Sequence, residues 1–252
     1  MLVEAAEAAG RIAMKHWKTD VTKYEKDDGA GPVTVADLEI NEMLSASMHG
    51  ARPQYGWLSE ESEDGTDRLS SDRVFIIDPI DGTRAFIAGE KGLSVALANA
   101  EKGRVTSAAI HLPAREETFA ATLGNGATKN GQPISVTSAA NLDQSTILAA
   151  RVQMLPERWP GGVPPLDRHF RSSLAWRLSL VAEGRFDCMV TFRRSWEWDI
   201  AAGALIASEA GAIVTDGEGE HLMFNSPEAT TAGIIAAPHA LHPKIMAHRK
   251  PD

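Results

Sequence analysis

Asp78 and Asp81 lie three residues apart, directly after the apolar run Val74 to Ile77, in the stretch VFIIDPIDGTRAF. A buried strand that ends this way can deliver two carboxylates to one place, with Pro79 stiffening the turn between them. Two anions held close repel each other unless a cation lies between them. A hard divalent ion is the natural partner. Magnesium takes carboxylate and carbonyl oxygens and fills its other positions with water and phosphate oxygens. The Ile80 carbonyl is placed to add a further oxygen. Gly82 and Thr83 follow, where backbone N–H groups at the start of a helix can receive a phosphate oxygen. An Asp-Pro-x-Asp-Gly turn can equally be a helix cap without chemistry, so other carboxylates must decide.

Three more segments supply them. GWLSEES places Glu60 and Glu61 after an apolar stretch, VTVADLEI places Asp37 three residues after Thr34, and WEWDIAAG places Asp199 at the expected start of a helix. Each alone has a plain structural explanation: a solvated acidic pair, a first-turn residue and an N-cap. Together they form an acidic set that a phosphate-processing metal site requires.

The elements that must position this set can be read from periodicity. LVEAAEAAGRIAMKHW has helical spacing and ends near Lys18, and YEKDDGAGPVT reads as a mobile loop. VADLEINEMLSASM resumes a helical period. Val74 to Ile77 is fit for a buried strand. LSVALANA, RVTSAAIHL and EETFAATL predict consecutive antiparallel strands, and Asn130-Gly131 predicts a hairpin turn. SSLAWRLSLVAEG predicts a helix closed by Gly184, FDCMVTF a strand, and DIAAGALIASEAGA a helix opened by Asp199 and stopped at Gly211. AGIIAA predicts a last strand. The expectation is an antiparallel-sheet N-terminal lobe over residues 1–136, carrying most metal ligands. An α/β C-terminal lobe over 137–252 completes the site, and the boundary falls near 132–142.

Composition narrows the classes. With 252 residues and 43% hydrophobic content, the chain can bury the core of one large domain or two lobes. A net charge of −9 argues against a general nucleic-acid or anionic-membrane binder. The single cysteine, Cys188, cannot form an internal disulfide and sits in a strand-like run, where burial is its expected role. The eight histidines show no zinc-like spacing. The first residues lack a basic segment, and no apolar run reaches membrane-spanning length, so the expected location is the cytoplasm. No Gly-x-Gly-x-x-Gly follows a strand, which argues against a nucleotide-dependent oxidoreductase.

DPIDGTRAF, WDIAAG, SEES and VTVAD, in this order and spacing, resemble the inositol monophosphatase-like family of magnesium-dependent, lithium-sensitive phosphatases. The resemblance covers nearly the whole chain and implies the layered αβαβα sandwich of the sugar phosphatases. It implies two or three Mg2+ ions. Glu60, Asp78 and the Ile80 carbonyl would hold one, and Asp78, Asp81 and Asp199 a second. A weaker ion would use Glu60 and water. It further implies that Thr83 and Glu60 orient the attacking water, with Asp37 behind Thr83, and that Gly82, Thr83 and Asp199 contact substrate. A cation-activated water with a second cation on the leaving oxygen suits in-line phosphoryl transfer. One departure is Ser59, where the family usually has glycine before the Glu-Glu pair. The loop EKDDGAGP matches the family's flap, with Lys26 at the position of a flap lysine.

The resemblance also bears on the ester. Enzymes preferring inositol phosphate carry a glutamate seven positions before the Asp199 equivalent, and this chain has Phe192 there, followed by Arg193 and Arg194. Phenylalanine cannot bind ring hydroxyls but could stack on a base, and guanidinium groups favour a second phosphate. Arg177 falls at the lysine position of the bisphosphate nucleotidase branch, although Ser173, Leu174 and Ala175 match that branch poorly. The expected substrate is therefore adenosine 3′,5′-bisphosphate, with inositol-1-phosphate, histidinol phosphate or another sugar phosphate as alternatives. The expected partners are this small-molecule ester and, for assembly, a second copy in a homodimer. A binding or regulatory protein on the same fold is the alternative of another class. It would have no reason to keep Glu60, Asp78, Asp81, Thr83 and Asp199 together.

Overall fold

The computed structural model describes residues 1–19, 22–25 and 32–250. The chain opens with α1 (Leu2–His16), which buries Leu2, Ala5, Ala6, Ala9 and Ala13 on one face. A short antiparallel ribbon follows, β1 (Lys23–Glu25) with β2 (Pro32–Thr34). The expected mobile loop is thus flanked by strand, and Lys26 lies outside the described residues. α2 (Val35–Ala51) begins with a capping box. Thr34 accepts from the Asp37 backbone, and Asp37 accepts from the Thr34 backbone.

β3 (Gly56–Ser59) pairs in parallel with β4 (Arg73–Asp81), a partnership that the sequence reading did not include. After α3 (Thr83–Ile87), the strands β5 (Ser94–Glu101), β6 (Arg104–Leu112), β7 (Glu117–Thr122), β8 (Ala127–Lys129) and β9 (Gln132–Ile134) continue as an antiparallel meander. The seven strands lie in the order β3 to β9. Asn130 and Gly131 join β8 to β9 with φ of 49° and 77°, the positive pair that a type I′ turn demands.

The two motif aspartates share one side because β4 is bulged. Asp78 pairs with Ala96 and Asp81 with Ser94, so three steps on β4 match two on β5. Strict alternation would send residues three apart to opposite faces. The extra residue returns Asp81 to the side of Asp78. Pro79, which has no N–H for the ladder, lies within the irregular stretch.

A second sheet of five strands has the order β11-β10-β12-β16-β14. Its members are β10 (Thr146–Leu148), β11 (Asp167–His169), β12 (Cys188–Thr191), β14 (Ala212–Thr215) and β16 (Ile234–Pro238). Between them in the chain come α4 (Leu174–Ala182), the two-residue strands β13 (Ser195–Trp196) and β15 (Thr230–Thr231), which pair with each other, and α5 (Glu197–Glu209). α6 (His242–Arg249) closes the fold.

α1 and α2 cover one face of the seven-stranded sheet, where Phe75, Ile77, Leu97 and Ala109 meet Ala9, Ile40 and Leu44. α4 and α5 fill the space between the two sheets. With sheets on both sides, every residue of α4 is buried. α6 packs Ile245 on the outer face of the second sheet, against Val190 and Ile235. The layers run α-β-α-β-α, as the resemblance implied. Cys188 is fully buried there, and burial pushes its thiol pKa up, away from reactivity.

A candidate metal and phosphate site at the end of strand β4

Asp78 is 1% exposed, and neither of its carboxylate oxygens has a hydrogen-bond partner. A charged group left so would cost several kcal/mol, on the order of the penalty for an uncompensated buried ion. Its carboxylate pKa is raised well above the usual range, first by burial, then by repulsion from Glu60, Asp81, Asp199 and Asp37. Oxygens of Asp78, Asp81 and Asp199 come within 4.8 Å of one another, drawn from the strand end and from the first turn of α5. A divalent cation fits this donor set. It would give the Asp78 oxygens their missing partners and relieve the repulsion.

Asp81 is placed from two directions. The bulge aims it, and its Oδ2 accepts from the Ser173 hydroxyl at 2.6 Å and from the Ala175 N–H at 2.7 Å, at the N-terminus of α4. Ser173 also caps α4 by accepting from the Trp176 N–H at 2.8 Å. Burial raises the Asp81 pKa to about 6, against the lowering effect of Ser173, Ala175 and the Arg177 charge. Asp199 is the third residue of α5, not its cap, and Trp196 occupies the cap position.

Glu60 follows β3, and its N–H donates to the Ile77 carbonyl at 3.2 Å, which fixes the Glu60–Glu61 turn beside β4. Ser59 explains how this chain does without glycine there. Its hydroxyl donates to Asn41 Oδ1 of α2 at 2.7 Å and accepts weakly from the Glu61 N–H, while Asn41 Nδ2 donates to the Glu61 carbonyl at 3.2 Å. The turn is pinned to the helix by side chains.

The arrangement around Thr83 differs from the expectation. Its hydroxyl donates to the Ile80 carbonyl at 3.0 Å. Asp37 Oδ2 instead accepts from the Thr34 hydroxyl at 2.6 Å and the Thr34 N–H at 2.8 Å, and Oδ1 is buried without a partner. Asp37 stands behind the Glu60–Glu61 turn, with its pKa raised to about 7 by burial and by those two charges. Gly82 takes φ of 98° and a Cβ there would meet the Gly92 carbonyl at 2.8 Å, so the turn from β4 into α3 requires glycine.

These residues open into one cavity of about 610 Å³, whose wall includes Glu60, Asp78, Ile80, Asp81, Gly82, Thr83 and Asp199. Arg193, Phe170, Trp196 and Trp198 line it as well. Trp196 and Trp198 are stacked, with ring centroids 4.7 Å apart and planes 9° from parallel, and Trp196 is 45% exposed. The aromatic wall was not anticipated, although Trp-Glu-Trp next to an expected metal ligand was the available signal.

Two expected substrate residues are corrected. Phe192 is buried in the outer core of the second sheet, edge-on to Trp159 and under the Arg249 guanidinium, so it cannot stack on a substrate base. Arg177 is buried on α4 and is absent from the cavity wall. Its Nε donates to the Arg171 carbonyl at 2.6 Å, its guanidinium lies over Phe170, and burial lowers its pKa to about 10. Its charge acts on Asp81 from within the fold. Arg193 remains at the cavity, and Arg194 turns to the Thr230 hydroxyl.

An αβαβα sandwich with an acidic pocket at a bulged strand end defines the class of metal-assisted phosphoric monoester hydrolases. A model of the inositol monophosphatase family matches residues 1–251, and the chain belongs to that family. It is 34% identical over 223 residues to a fructose-1,6-bisphosphatase/inositol-1-monophosphatase of Thermotoga maritima, covering 86% of this chain and 84% of that one. It is 31% identical over 268 residues to the Nus factor SuhB of Pseudomonas aeruginosa, covering 99% and 96%. Among solved structures, the IMPase of Thermotoga maritima superposes with a TM-score of 0.82 at 30% identity, over 97% of this chain and 93% of that one. Among the described residues, no helix is long and apolar enough to cross a membrane.

Proposed function

We propose that the chain hydrolyses a small phosphate monoester with Mg2+, and that its preferred ester carries a flat ring, adenosine 3′,5′-bisphosphate being the first candidate. The observation behind the metal reading is the pair of unpartnered Asp78 oxygens beside Asp81 and Asp199. Glu60, Asp78, Asp81, Asp199 and the Ile80 carbonyl would hold the ions. When bound, magnesium supplies charge neutralisation at the phosphoryl oxygens and an acidified water.

The protein's own part is positioning. The Thr83 hydroxyl gives its one proton to the Ile80 carbonyl, so toward the cavity it can only accept. It can thereby orient the attacking water, with Glu60 as the carboxylate that receives a proton. The backbone at Gly82 and Thr83 would hold phosphate oxygens. Asp37 would act through the Glu60–Glu61 turn rather than through Thr83.

For the substrate ring, the stacked Trp196–Trp198 pair and Phe170 supply the aromatic surface that Phe192 does not. Arg193 supplies a guanidinium for a second phosphate. The test compares kcat/KM on adenosine 3′,5′-bisphosphate, inositol-1-phosphate and histidinol phosphate with magnesium present. The proposal expects the bisphosphate to lead. A clear lead for inositol-1-phosphate would reject the ring assignment and leave the metal-dependent hydrolysis in place.

A further inference from the structure

Glu197 begins α5 two residues before Asp199 and is fully buried. Its carboxylate accepts from the backbone N–H of Asn225, the N–H of Ser226 at 2.8 Å and the Ser226 hydroxyl at 2.7 Å. Its own N–H donates to the Ala229 carbonyl at 2.9 Å. The loop from Asn225 to Ala229 is thus fastened to the first turn of α5 at both ends.

The same loop is fastened to the other side of the site. Asn225 Oδ1 accepts from Arg68 Nη1 at 2.7 Å, and Asn225 Nδ2 donates to the Arg68 carbonyl at 3.1 Å. Arg68 also donates to the Ser226 carbonyl at 3.0 Å. The Arg68 side chain is 1% exposed, and its Nε and Nη2 donate to the two oxygens of Asp64 at 2.6 and 2.7 Å. Asp64 lies four residues after Glu60. The Arg68 backbone packs on Gly56 at the start of β3, where an added Cβ would sit 3.1 Å from the Arg68 Cα. β3 then leads straight into Glu60.

We infer that Glu197, Asn225 and Arg68 are positioning residues, forming a buried polar bridge that sets Asp199 on α5 against the Glu60 turn and so tunes the affinity of the site for its divalent cation. Residues two apart on a helix point to nearly opposite sides. Holding Glu197 on one side therefore fixes the rotation that presents Asp199 on the other. Each carboxylate oxygen and each arm of Arg68 has a partner, so the bridge is a satisfied network, which is the kind that holds one geometry. The inference rests on the proposed metal reading of the site.

The test is calorimetric titration of the full chain with Mg2+, alongside melting in chelator. Glu197→Gln removes the charge that three donors face. Asn225→Gly removes the side chain joining Arg68 to the loop and tolerates the residue's φ of 62°. Glu209→Gln is the control. Glu209 is the last residue of α5 and ties the turn between β7 and β8 to that far end of the helix by accepting from the Gly124 and Gly126 N–H groups at 2.8 Å each, remote from the site. The expected result is a rise in the Mg2+ dissociation constant of about tenfold in Glu197→Gln and Asn225→Gly, the usual scale for losing a group that orients a ligand. Glu209→Gln should melt lower and bind Mg2+ as the native chain does. If Glu197→Gln fails to fold, Asn225→Gly decides. Native Mg2+ affinity in folded Asn225→Gly, or equal weakening in Glu209→Gln, would overturn the inference. A native chain that binds no Mg2+ would overturn the metal reading, and the inference with it.

Discussion

Ser173 donates a 2.6 Å hydrogen bond to Asp81 across 92 residues of sequence, joining the N-cap of α4 to the end of β4. One hydroxyl thereby holds a candidate metal ligand and starts a helix. Ser173→Ala should lose both roles. The cap is worth about 1 kcal/mol, so melting should fall by a few degrees. Held then by the Ala175 N–H alone, Asp81 is less firmly oriented and should support turnover about tenfold slower. Melting curves and initial rates on the same preparation check both effects. A variant that melts lower but turns over normally would make Ser173 a cap alone.

Asp78→Asn should separate stability from activity. The native carboxylate is buried among like charges with no partner. Replacing it with a neutral amide should raise the melting temperature measured in chelator, because a repulsive buried group is removed. Turnover with magnesium should fall at least about a hundredfold. A drop in chelator stability would show that Asp78 holds the fold together in a way its orphaned oxygens do not suggest.

Substrate preference should respond to the cavity wall and not to buried α4. Trp196→Ala should raise KM for adenosine 3′,5′-bisphosphate by about ten- to a hundredfold, the scale of one lost stacking contact, and alter KM for inositol-1-phosphate much less. Arg193→Ala should act in the same direction. Arg177→Met should destabilise the chain, since it leaves the Arg171 and Ser172 carbonyls without their donor. Steady-state kinetics with both esters distinguish the two kinds of change.

Buried histidine and the crowded carboxylates should pull the pH dependence of stability in opposite directions. Burial lowers the pKa of His242 below its usual 6.5, and its ring meets the Thr215 hydroxyl at 2.9 Å. Burial lowers His111 likewise. As pH falls, the unfolded chain takes up these protons first. The histidine contribution is therefore full above about pH 6.5 and declines as pH drops through the folded-state value, whereas in metal-free protein Asp37, Asp78 and Asp81, raised above the usual carboxylate range, take up their protons in the fold first and add stability as pH falls. Melting temperatures of the native chain and His242→Gln, compared in chelator between pH 8 and pH 5, isolate the histidine part, and His242→Gln should gain on the native chain as pH falls. Identical slopes would remove His242 from the explanation.

The acidic set and most of its scaffold were legible because they depend on local chemistry. β4, the meander from β5 to β7, the Asn130-Gly131 turn and the helices α2, α4 and α5 all follow from periodicity and turn residues close in sequence. The misplacements of Phe192 and Arg177 came from reading residues near a motif as facing it. Alternation offered a warning, since Cys188, Val190 and Phe192 share one face of β12 and its extension, and all three lie in one core cluster. For Arg177 the warning was LAWRLSLVA, apolar on all sides with one charge, which is how a helix between two sheets reads. The parallel pairing of β3 with β4, the Ser173–Asp81 bond and the Glu197–Arg68 bridge join distant segments, and no local pattern encodes such partners.

In the proposed reading, Asp78, Asp81 and Asp199 hold a divalent cation without which the ester is not cleaved. The most direct measurement is phosphate release from a monoester by chelator-stripped protein, before and after adding back Mg2+. The expected result is no turnover above background in metal-free buffer and recovery of activity on magnesium addition. Undiminished turnover in the stripped, metal-free protein would contradict it.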